Sequence, residues 1–159
     1  EAKFNVFRWP LDENPGSLRI FACQHLTRET VWIPELQSHA NGASRIIRVE
    51  VLADDPKAAA EHLSRLIDEP VKQQDDGWLV PSGGKRADFL FYDAAGLARR
   101  YPDAVRVGAG PGGAVAIVLA SSDLDGAAKA LGSVGFRHGA AVSVPAASAN
   151  GLIVSFLPQ

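Results

Sequence analysis

The feature that most constrains this chain is a strand-to-helix junction that occurs twice. Ile46 to Ala53 alternates, with Ile47, Val49, Val51 and Ala53 on one face of a strand and Ile46, Arg48, Glu50 and Leu52 on the other. Asp55 before Pro56 is a helix N-cap followed by proline at the first helical position, and Ala60, Leu63, Leu66 and Ile67 recur at helical spacing until Pro70. Val115 to Ser121 reads as a second strand, Asp123 opens a second helix, and Gly132 and Gly135 end it. Asp123 lies 68 positions beyond Asp55, and at that offset Ala59, Ala60 and Leu63 return as Ala127, Ala128 and Leu131. Three short strand candidates follow each helix: 71–74, 78–81 and 87–92, then 136–138, 141–144 and 152–157. The pattern predicts an internal duplication of a β-α-β-β-β unit. Its fold class is α+β: two such units share a curved mixed sheet, helices near 56–68 and 124–131 cover the outer side, and the other face stays free for a small ligand.

The flanking segments divide the rest. Residues 4–9 and 18–23 are β-rich runs separated by Pro10, Asn14, Pro15 and Gly16, which predicts a hairpin. From Thr27 to Ser44 periodicity fails and Pro34, Asn41 and Gly42 interrupt any helix. The expected division is a hairpin at 1–26, a structured connecting loop at 27–45, and a domain at 46–159 made of units 46–104 and 105–159. Each unit counts four strands without the hairpin, so the hairpin is expected to pair outside both units or at a sheet edge.

A chain of 159 residues holds one domain, or two small repeats with a common core. Sixteen Lys plus Arg against eighteen Asp plus Glu, with no basic block, argue against nucleic acid as a partner. No apolar run approaches the ~20 residues a membrane span needs, so no membrane partner and a cytoplasmic location are expected. Cys23 is the only cysteine, which excludes an internal disulfide and any cysteine-based zinc cage, and its apolar strand suggests a buried small hydrophobe. Gly108 to Gly113 contains G-x-G-x-x-G, but a strand rather than a helix follows it and Pro111 lacks an N–H, so it reads as a linker and no dinucleotide cofactor is expected.

Paired βαβββ units resemble the vicinal oxygen chelate superfamily of glyoxalases, extradiol dioxygenases, epimerases and bleomycin-binding proteins. The stretch Cys23-Gln24-His25-Leu26-Thr27-Arg28-Glu29-Thr30-Val31-Trp32, then Pro34-Glu35, His39-Ala40-Asn41-Gly42-Ala43 and Val51-Leu52-Ala53-Asp54-Asp55-Pro56, is similar to the bacterial glyoxalase-like domain family. Ala40 stands where that family usually has Pro, and Thr30 where it usually has Leu. The resemblance implies that the hairpin at 1–26 closes an upstream module of the same chain. It also implies a glyoxalase-like domain binding a small oxygenated or anionic metabolite, with lyase, isomerase or dioxygenase-like activity in the full-length protein. Whether the domain is an enzyme stays open. The alternatives are a non-catalytic module that binds or sequesters a small molecule, and a structural half supporting an upstream active domain. A homodimer also stays open.

Metal-dependent members of the superfamily place His on the first strand of a unit and Glu on its last. Here those slots fall at Arg48, Ala116 and Ser155, with Asp88 near the fourth, so no metal site and no cofactor are expected. The permanent charge of Arg48 repels a divalent cation and favours an anionic ligand. Arg48 and Glu50 share a strand face and are expected to contact ligand, the alternative being a salt bridge. Trp32 and Asn41 complete the candidate ligand contacts. Two imidazoles and a carboxylate, His25, Glu29 and His39, are the candidate catalytic set, against the alternative of loop residues bonding the backbone.

Overall fold

The computed structural model describes residues 1–159. Ten strands form two sheets. The small one pairs β1 (Phe4–Arg8) with β2 (Phe21–His25), antiparallel. The large one contains β3 (Ala43–Leu52), β4 (Lys72–Gln74), β5 (Gly77–Val80), β6 (Asp88–Tyr92), β7 (Gly113–Ser121), β8 (Phe136–His138), β9 (Ala141–Val144) and β10 (Ile153–Pro158). Their order is β4-β5-β6-β3-β7-β10-β9-β8. In the first unit β3 runs parallel to β6, and β6, β5 and β4 are antiparallel neighbours; in the second, β7, β10, β9 and β8 repeat those relations. β3 and β7 pair antiparallel at the centre. The curved mixed sheet of two βαβββ units is the architecture the duplication predicts.

Helices α1 (Pro56–Ile67) and α4 (Leu124–Leu131) cover the outer face. Asp55 accepts a hydrogen bond from the Ala58 amide and Asp123 from the Gly126 amide, so the two helices start with the same cap. Ala59, Ala60 and Leu63 of α1 pack on Val51, Val80 and Phe91, while Ala127 of α4 packs on Val142, Val144 and Phe156. Full burial of a side chain such as Leu63 contributes about 2 kcal/mol.

Two short helices between the units, α2 (Ala94–Arg100) and α3 (Asp103–Arg106), carry too few turns to show a periodicity. They send Leu97, Tyr101 and Val105 against Leu90, Tyr92, Ala116 and Ile153, covering part of the inner face. β3 begins at Ala43, earlier than the expected 46, because the turn at Asn41 and Gly42 brings Ala43 opposite Ser121. Gly42 has φ of 64° and a Cβ there would meet Ser121 Oγ at 2.9 Å, so the turn needs glycine.

The hairpin differs from expectation in where its second strand begins and in the exposure of Cys23. Its second strand starts at Phe21 rather than 18, because Leu18 and Ile20 pack toward α1 instead of pairing with β1. Its strands pair with each other in a separate sheet, outside both units. Cys23 is exposed rather than buried, since no layer packs over it. No helix is long and apolar enough to cross a membrane.

Candidate functional site

Strand pairing places polar residues in rows across the inner face. Arg48 of β3 lies opposite Val118 of β7, which lies opposite Ser155 of β10, which lies opposite Ser143 of β9. In the neighbouring row Glu50 lies opposite Ala116, and Ala116 opposite Ile153. Arg48, Arg100, Tyr101, Val118, His138 and Ser155 contribute to the walls of a cleft of about 280 Å3. Two larger depressions, of about 380 and about 660 Å3, lie at the start of α1 and between α1 and residues 18–23. The inner cleft is smaller, but only there do buried polar groups converge.

Glu50 is fully buried and its oxygens are engaged by three donors: Arg48 Nε on Oε1 at 2.6 Å, Tyr92 Oη on Oε2 at 2.8 Å and Tyr101 Oη on Oε2 at 3.0 Å. Such coverage is what makes a buried carboxylate tolerable. Burial first, and then the charge of Glu50, push both tyrosine hydroxyls well above their ordinary value. Arg100 forms an ion pair with Asp76 at 3.2 Å, and its Nε is buried without a protein partner. Burial raises the Asp76 carboxyl, but the hydrogen bond from Arg99 and the charges of Arg100 and Arg99 outweigh it and leave it below the usual range.

The second unit's wall is neutral. His138 Nε2 lies 2.8 Å from Ser143 Oγ, and Ser143 Oγ donates to Ser155 Oγ at 2.9 Å. Burial lowers the His138 pKa from its ordinary value and favours the neutral ring.

The sequence candidates are dispersed. Arg48 and Glu50 meet on the cleft wall as a salt bridge, so both readings of the pair describe it: bonded to each other and facing the cleft. The full positive charge assigned to Arg48 from sequence is therefore offset by Glu50. His25 ends β2, edge-on to Phe4 with centroids 4.9 Å apart and 6.3 Å from the Trp32 ring. Trp32 is half exposed beneath the Arg28 guanidinium, 4.8 Å from its centroid. Glu29 is exposed in the turn Arg28–Thr30, and His39 is exposed in the following loop. Asn41 bonds the Ala43 amide through Oδ1 and receives Ser121 Oγ on its carbonyl. None of His25, Glu29, Trp32, His39 and Asn41 lines the inner cleft.

Tyr92, Arg100, Tyr101, His138, Ser143 and Ser155 were not singled out as ligand contacts from the sequence. Two of them carried a signal: Ser143 and Ser155 each interrupt an apolar strand, Ala141–Val144 and Ile153–Pro158. A hydroxyl at an inward position of such a strand must find a partner.

The residues present do not fit a divalent ion at the superfamily's slots. Arg48 is a donor, Ala116 has no donor atom, Glu50 has both oxygens engaged, and no three His, Cys, Asp or Glu side chains converge anywhere in the chain.

No protein-family model matches the chain, and no curated protein matches it. Among solved structures, a hypothetical protein from Staphylococcus aureus superposes with a TM-score of 0.57 at 12% identity, covering 99% of this chain and 50% of that one. This chain thus spans half the length of that protein. Methylmalonyl-CoA epimerase from Mycobacterium tuberculosis gives 0.49 at 15% identity over 76% of this chain and 96% of its own. A Streptomyces coelicolor methylmalonyl-CoA epimerase in complex with 2-nitronate-propionyl-CoA gives 0.48 at 11% identity over 74% and 98%. At 12% identity the likeness to the Staphylococcus aureus protein concerns the fold alone.

Proposed function

We propose that this chain is a glyoxalase-like domain of the vicinal oxygen chelate superfamily whose inner cleft binds a small oxygenated or anionic metabolite. The observation that supports it most directly is a set of unengaged donors. Arg48 uses only Nε on Glu50, leaving the outer edge of its guanidinium for the cleft, and Arg100 Nε is buried with no partner. Donors of this kind ask for acceptor oxygens, and a carboxylate answers a guanidinium best. Each arginine has a carboxylate behind it, Glu50 or Asp76, so selection rests on directed hydrogen bonds more than on net charge.

Between an enzyme and a binding or sequestering module, the wall chemistry favours the module. Glu50, the buried carboxylate of the cleft, is held by three donors that occupy three of the roughly four acceptor sites of a carboxylate, the arrangement of a structural anchor.

Calorimetric titration with pentanoate, a simple carboxylate, tests the reading. Arg48→Met and Arg100→Met are each expected to weaken binding about tenfold or more, the range of a charge-assisted hydrogen bond. Arg65→Met, on the exposed side of α1, is expected to change nothing. Equal loss in all three variants, or no binding to the unmodified protein, rejects the cleft as the site.

A further inference from the structure

The neutral wall of the cleft carries a hydrogen-bond chain with a fixed direction. Ser143 gives its one hydroxyl hydrogen to Ser155 Oγ, so the 2.8 Å contact with His138 Nε2 must be filled from the imidazole side. His138 is therefore the Nε2–H tautomer. Ser155 accepts from Ser143 and donates to no protein acceptor, which leaves its own hydrogen at the cleft wall. Ser143 and Ser155 are both buried.

From this we infer that His138, Ser143 and Ser155 form a polarised relay that presents a hydrogen-bond donor to the ligand, and that the ligand is a carboxylate carrying a second, neutral acceptor oxygen. The inference rests on the cleft-binding reading and specifies its substrate class. His138 and Ser143 are positioning residues, and Ser155 is the contact.

The register sets the span. Arg48, Val118 and Ser155 occupy one row on adjacent strands, so the Cα atoms of Arg48 and Ser155 are two strand spacings, roughly 10 Å, apart. The Arg48 guanidinium and the Ser155 hydroxyl thus stand on either side of Val118, which asks for two acceptor groups separated by a short spacer. Val118, buried between them, offers that spacer an apolar floor. A 4-oxo acid fits this description: a carboxylate toward Arg48, methylenes over Val118 and a carbonyl toward Ser155.

The protein is titrated with 4-oxopentanoate, 2-oxopentanoate and pentanoate, three acids of one chain length. The expected result is a preference of about fivefold for 4-oxopentanoate over pentanoate, the worth of one neutral hydrogen bond, with little gain for 2-oxopentanoate. Ser155→Ala is expected to abolish that preference, with 4-oxopentanoate losing about fivefold more affinity than pentanoate does. His138→Leu should reduce the preference, and His138→Gln, which keeps an N–H at that distance, should restore most of it. Long-range 15N imidazole spectra recorded with the ring neutral should show His138 protonated at Nε2.

Equal affinity for all three acids overturns the ligand class while leaving the cleft-binding reading standing. A gain for 2-oxopentanoate equal to that for 4-oxopentanoate overturns the span. A ring protonated at Nδ1 overturns the direction of the relay. Failure of every acid to bind, with the Nε2–H tautomer observed, overturns cleft binding and the ligand class together.

Discussion

The two βαβββ units share a topology and differ in what they expose on the inner face. At the offset of 68 residues that relates Asp55 to Asp123, Arg48 corresponds to Ala116 and Glu50 to Val118. The antiparallel pairing of β3 with β7 sets these four residues as two cross-strand pairs, Arg48 with Val118 and Glu50 with Ala116, which the internal symmetry exchanges. One unit thus contributes a partly buried ion pair where the other contributes two small apolar side chains. The outer faces stay alike, with Ala59, Ala60 and Leu63 matched by Ala127, Ala128 and Leu131. The contrast teaches that helix-to-sheet packing fixes the shape of both halves, while the inner face can differ in chemistry without disturbing it.

The largest expected effect tests the asymmetry itself. Glu50→Ala leaves Arg48 without its counter-ion and two buried tyrosine hydroxyls without an acceptor, and should cost about 3–5 kcal/mol. Val118→Ala, at the matching slot, should cost about 2 kcal/mol, the value of lost methyl groups and a small cavity. Urea denaturation with an unchanged m-value reads both, and equal losses would erase the distinction.

Next in size is a comparison on the outer face. Leu63 is fully buried and Leu131 only partly, so Leu63→Ala should cost about 3 kcal/mol and Leu131→Ala about 1 kcal/mol. The opposite ranking would mean that α4, and not α1, is the better anchored helix.

The caps should behave alike. Asp55→Ala and Asp123→Ala each remove one side-chain bond to an amide, and each should cost about 1 kcal/mol. Thermal melts of the two variants that diverge widely would break the equivalence of the two helix starts.

The smallest effect is a pH dependence confined to the second unit. Burial lowers the His138 pKa in the folded protein below its ordinary 6.5, so the unfolded chain binds the proton more readily. Stability is then complete above about pH 6.5 and declines as pH falls through the window between the two values. Comparing Tm at pH 7.5 and pH 5.5 should show His138→Phe losing less than the unmodified protein.

Much of this fold was legible because it is local. Alternation around Val49 and Val51, the Asp-Pro helix start at 55–56 and the Ala127 to Leu131 spacing each lie within one element, and the structure agrees to within a few residues. The hairpin boundary was less legible, because the choice of Leu18 and Ile20 to pack on α1 is a tertiary matter. Of the cleft, Arg48 and Glu50 could be found by their shared strand face. Tyr101 and His138 could not: they reach it from the end of α2 and from β8, 51 and 88 positions beyond Glu50 in the chain. His25, Glu29 and His39 stood close in sequence, and proximity in sequence within an irregular loop does not fix which way a side chain points.

The antiparallel seam between β3 and β7 has a consequence for assembly. A half-chain ending before β7 would expose β3, the longest strand at ten residues, as a bare edge of unpaired amides and carbonyls. Because the seam relates its two strands by an approximate twofold, the same edge is suited to an isologous partner: a second half-chain can dock there in the orientation β7 now occupies. Joining two units in one polypeptide turns that bimolecular encounter into an intramolecular one and frees the two inner faces to diverge, since they need no longer be identical.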